Sequence, residues 1–154
     1  MNDARFEDGR DAPLNLGAYD AEDLGVIAAL AQDAVFPITE VSYDRAGRRF
    51  AVLLNRFRWE ESAALAEPER VQSVLVFSNV LSVASSGVDR SDRDQVLSLL
   101  SIAFEETEAP AGTVEFTLAG DGAVRLTVEA LEATLRDVTK PYAAPSRKAP
   151  KHPD

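Results

Sequence analysis

Between Val71 and Ser86 the chain reads VQSVLVFSNVLSVASS, and its apolar residues fall largely on alternate positions. Period-two alternation marks a strand with one face buried, because successive side chains of an extended backbone point to opposite sides. Leu75, Phe77, Leu81 and Val83 share one parity, and Val74, Val76 and Val80 the other. This reads as one long bent strand, or two, with Asn79 as the break. The same alternation returns at Phe50, Val52 and Leu54, at Thr113–Leu118 and at Val124–Ala130. Two turn sequences join such runs into hairpins: DRAG after Ser42-Tyr43, and AGDG after Leu118. A chain patterned this way is held to a mostly antiparallel sheet.

One segment departs from that period. Leu24, Ile27, Ala28, Ala31, Ala34 and Val35 recur at helical spacing behind Asp20, with Asp23 three residues on. Asp20 is a good N-cap, and the pattern predicts a helix over 21–35 that Pro37 closes. Leu14, Leu16 and Ala18 predict a short strand before it. Phe57 and Trp59 lie on the opposite parity to Phe50, Val52 and Leu54, so a bulge near Asn55 is expected. Residues 61–69 are Ala/Glu-rich and read as a loop or short helical turn. Residues 95–106 fit both periods, and a short helical turn leading into a strand from Leu99 is expected. Leu131, Ala133 and Leu135 continue a strand after a one-residue slip, with a helical stripe through Val128, Leu131, Leu135 and Val138 as the other reading. The implied fold class is α+β: a bent antiparallel sheet or partial barrel with one prominent N-terminal helix. The echo between Leu14–Trp59 and Val80–Ala130 adds a duplicated βαββ unit as an alternative.

Residue types narrow the chemistry. Among 154 residues there is no cysteine and one histidine, His152. Thiol nucleophiles, disulfides, thiolate metal sites and histidine metal sites are thereby excluded, and a Ser–His–Asp triad is disfavoured. The formal charge is −10. Residues 139–154 carry four bases against one acid, net +3, which leaves −13 on the rest of the chain. Residues 1–13 are expected to be a flexible lead, 14–138 a single globular domain, and 139–154 a Pro/Lys-rich flexible tail. No run suits a membrane span, and a soluble, cytoplasmic protein is expected.

The stretches LNLGAYDAEDLGVIAALAQDAV, RRFAVLLNRFRWE and LSVASSGVDRSDRDQVLSLLSIAFEETEAPAGTVEFTLAGDGAVRLTVEALEATLRDV span nearly all of 14–138. In them the chain resembles a proteobacterial family, domain of unknown function 2948. The resemblance implies a housekeeping bacterial setting and transfers no catalytic residue.

Three constellations remain. In RRFAVLLNRFRWE, arginines interleave with aromatics, and Asn55, Arg56, Arg58 and Trp59 are the expected binding surface, because Trp and Arg dominate contact energies. In GVDRSDRD, Asp89, Asp92 and Asp94 could supply an acid–base pair with one raised pKa. The ordinary reading is a solvated loop that caps the next segment. Asp20, Glu22 and Asp23 read as helix capping rather than a cation site. The leading expectation is a non-enzymatic binding or assembly module, uncharacterised and bacterial, with no cofactor and no metal. Its partner would be a protein or a small ligand, and a homodimer is compatible. The alternatives are a carboxylate-dependent enzyme at the Asp89/Asp92/Asp94 loop and a weak nucleic-acid binder, the latter opposed by the −13 body.

Overall fold

The computed structural model describes residues 13–58, 69–138 and 142–143. Expectations for Trp59, for residues 1–12, for most of the tail and for 61–68 of the loop or turn expected over 61–69 lie outside the described residues; Glu69 itself opens a strand.

Among the described residues, one α-helix and ten antiparallel strands, with a two-residue eleventh, make up an α+β fold whose sheet bends without closing into a barrel. The strands are β1 (Asn15–Ala18), β2 (Val35–Pro37), β3 (Val41–Asp44), β4 (Arg49–Phe57), β5 (Glu69–Phe77), β6 (Val80–Ser86), β7 (Val96–Glu106), β8 (Gly112–Leu118), β9 (Ala123–Val128) and β10 (Ala133–Asp137). A two-residue β11 (Tyr142–Ala143), inside the segment expected as a tail, pairs with β5 at Arg70 and Glu69. The helix α1 is Ala21–Ala31.

The strand order is β1-β10-β5-β4-β2-β7-β8-β9-β6, with β3 beside β4. It divides into two leaves, β1/β10/β5/β4/β3 and β7/β8/β9/β6. Strand β2 is the joint: Val35 pairs with Asn55 of β4 and with Ser98 of β7. The leaves fold toward each other over one core. Phe116 of the second leaf stands edge-on to Phe50 and Phe77 of the first, at 5.7 and 5.5 Å between ring centroids. Such tilted pairs set the positive edge of one ring against the negative face of the other.

α1 starts where its cap dictates, with Asp23 N–H donating to Asp20 Oδ1 at 2.8 Å. It ends four residues before the expected Val35. Asp33 takes φ 64°, and its N–H donates to the Leu99 carbonyl. That turn frees Val35 and Phe36 for β2, so sheet pairing takes residues that the helical stripe had included. Leu24, Ile27 and Ala31 bury one stripe of α1 against β7, β1 and β4.

Three further expectations are corrected. Strand β4 has no bulge: its register with β5 runs unbroken from Phe50↔Phe77 to Phe57↔Arg70. The inward parity simply continues through a buried Arg56. Residues 96–106 are strand throughout, with no helical turn. A register shift between Leu99 and Ser101 moves the buried positions from Leu99 to Ile102, which mimics helical spacing. In the second half of the chain VLSLLSIAFEE, the counterpart of the α1 segment, forms strand β7, so a duplicated βαββ unit is not what forms. Asn79 does break the long run: at φ 59° it hands the chain from β5 in one leaf to β6 in the other. That turn leaves Val80 buried and Leu81 exposed, and a shift between Val80 and Ser82 then moves the next inward position to Val83.

Candidate functional site

The two leaves do not close completely. Between them lies a cavity of about 360 Å³. Its floor is apolar, made by Phe36, Phe50, Val52, Phe116 and Leu118, all buried. Its walls are half-buried residues of both leaves, Val41 and Tyr43 on β3, Val83 on β6, Leu97 on β7 and Val124 on β9. Alternation puts them there, since Val41 and Tyr43 share a parity, as do Phe50 and Val52. The Tyr43 hydroxyl donates to the Val80 carbonyl at 3.0 Å, tying the edge of one leaf to the other.

Exposed polar residues stand at the opening: Arg45 from the β3–β4 turn, Ser82 and Ser85 from β6, and Arg90 and Arg93 from the β6–β7 loop. Among the described residues, no aspartate or glutamate lines the cavity. The turn that carries Arg45 is fixed by Asp44, whose Oδ1 accepts the Gly47 N–H at 3.0 Å.

The GVDRSDRD loop is built by its aspartates. Asp89 Oδ1 accepts the Ser91 hydroxyl at 2.6 Å and the Ser91 N–H at 3.0 Å. Asp92 Oδ1 accepts the Asp94 N–H, and Gln95 Nε2 donates to the carbonyls of Asp89 and Asp92. These are Asx-type turns, in which a short carboxylate side chain replaces a backbone acceptor. The Ser91 hydroxyl, and then the Ser91 N–H, hold the Asp89 carboxyl below the usual carboxylate range. A general acid needs the opposite shift. Asp89, Asp92 and Asp94 are exposed, and none lines the cavity. Among the described residues no group of three or more acidic or histidine side chains could hold a metal ion. The loop thus turns its arginines, not its aspartates, to the cavity.

The other expected surface is largely interior. Arg56 is wholly buried and makes a two-oxygen ion pair with Asp137, Nη2 lying 3.0 Å from Oδ1 and 3.2 Å from Oδ2. Ser73 Oγ donates to the same Oδ1 at 2.6 Å, and the Leu14 N–H donates to Oδ2 at 2.9 Å. Arg58 is 5% exposed and pairs with Glu69 at 2.7 Å. Asn55 is half-buried in β4, opposite Val35 and Gln72. Arg56 and Arg58 therefore present almost no surface to a partner. Their place at the end of a strand that buries both faces decides this, and Trp59 lies outside the described residues.

Sequence reasoning missed the cavity residues. A signal for them exists in the parity shared by Val41 with Tyr43 and by Phe50 with Val52. No local pattern says that a second leaf faces them.

These features define a small α+β domain whose bent antiparallel sheet encloses an apolar cavity with arginines at its opening. The chain belongs to the family described as Protein of unknown function (DUF2948), whose model matches residues 14–152. No curated protein and no solved structure matches it. Among the described residues, no helix is long and apolar enough to cross a membrane.

Proposed function

We propose that this protein is a non-enzymatic module that binds a small ligand with an apolar body between its two leaves. The supporting observation is the cavity of about 360 Å³, which falls within the range of small-molecule sites and has the apolar floor such sites use. The lining offers contact surface, two serine hydroxyls and three guanidinium groups, which suits holding a ligand better than turning one over.

Octan-1-ol, a neutral apolar probe, tests the reading by methyl-resolved NMR titration. Saturable shifts are expected at Val41, Val83, Leu97 and Val124. Filling the space with Val83→Phe should weaken binding by about tenfold, as expected when a close-packed wall replaces free volume. Shifts scattered outside the cavity, or binding indifferent to Val83→Phe, would sink the proposal.

A further inference from the structure

We infer that the ligand is an amphipathic anion, with its apolar body on the cavity floor and one carboxylate or phosphate head at the opening among Arg45, Arg90 and Arg93. This deepens the proposed function and rests on it. The chain carries −10, yet among the described residues the lining holds three arginines and no acid. They arrive from two separate elements, one turn and one loop. Four other described arginines are matched to carboxylates, Arg48 with Glu129, Arg56 with Asp137, Arg58 with Glu69 and Arg125 with Glu115, while the exposed Arg49 and Arg136 stand singly on separate strands. Arg45, Arg90 and Arg93 make no ion pair with any described residue. The acids beside them in sequence are Asp44, Asp89, Asp92 and Asp94. Three of these accept hydrogen bonds from turn N–H groups, and none lines the cavity. A planar guanidinium matches a carboxylate or phosphate through two parallel hydrogen bonds. Apolar floor and cationic rim together select a molecule with one end of each kind.

Titration calorimetry with octanoate, octyl phosphate and octan-1-ol separates the two ends of the ligand. At low salt at least one anion should bind roughly tenfold tighter than the alcohol, and the gap should narrow as salt screens the exposed arginines. The triple variant Arg45→Gln/Arg90→Gln/Arg93→Gln should lose the gap and keep octan-1-ol binding. These arginines are exposed, so the variant is expected to fold, which circular dichroism checks, and the corresponding lysine triple should retain part of the preference. Which anion wins tells carboxylate from phosphate. Equal binding of alcohol and anions would overturn the anionic head while leaving the cavity reading standing. Binding of none of the three would overturn both. A concentration-dependent dimer dispersed by octan-1-ol would show a second copy of the chain as the occupant, and would overturn the small anion.

Discussion

Arg56 shows how a single buried charge organises its neighbourhood. Val71 and Ser73 face it on β5 and Asp137 lies beyond, so the end of the core is a polar knot rather than an apolar plug. The knot also ties β1 in, since Leu14 and Asp137 exchange hydrogen bonds across 123 residues of sequence. Removing one partner leaves the other charged and dry, which costs far more than removing both. Arg56→Met is therefore expected to lower stability by about 3–5 kcal/mol. The double variant Arg56→Met/Asp137→Leu should be less destabilised than either single change. Urea denaturation of the three variants measures this, and a double variant as damaged as the sum of its singles would contradict it. From sequence, Arg56 and Arg58 read as binding surface because Trp and Arg dominate contact energies. The acid that draws Arg56 inward lies 81 positions away, outside the reach of any local pattern.

At the scale of elements, the β6–β7 loop carries two of the three arginines that line the cavity, and Gly87 sets its departure. Gly87 has φ +68°, and a Cβ built there would lie 2.7 Å from the Asp121 carbonyl oxygen in the β8–β9 turn. Gly120 has a similar φ of +83°, but a Cβ there would meet nothing within 4 Å. Gly120→Ala is expected to cost only the backbone penalty of the left-handed region, about 1 kcal/mol. Gly87→Ala must add displacement of one loop from the other, with a further fall in melting temperature of at least about 2–4 °C for each extra kcal/mol. Thermal denaturation of the pair isolates the clash, and equal losses would refute it. Elements with strong local signals were legible: the Asp20 cap, the DRAG and AGDG turns, and the alternation of β4, β5, β8 and β9. The end of α1 and the bulge in β7 were not. In both places pairing with a distant strand decides between two local patterns that the residues fit almost equally.

Over the whole molecule, the core is shared. Phe116 on the second leaf meets Phe50 and Phe77 on the first, while β2 joins the leaves by backbone pairing. The leaves should therefore unfold together. Phe116→Ala is expected to cost about 3–5 kcal/mol and to lower hydrogen-exchange protection in β4 and β5 as much as in β8 and β9. Protection lost from the second leaf alone would show two independent units. The sequence by itself determined that this chain forms antiparallel strands with one capped helix, because alternation, caps and turns act within a few residues. It also limited the chemistry, since a chain with one histidine and no cysteine offers no thiol and a single imidazole. Only the tertiary structure decided that Arg56 is core, that Arg45, Arg90 and Arg93 meet at one opening, and that an apolar space lies beneath them. Burial and convergence arise from strand pairs far apart in the chain, and no local period encodes which strand will lie opposite.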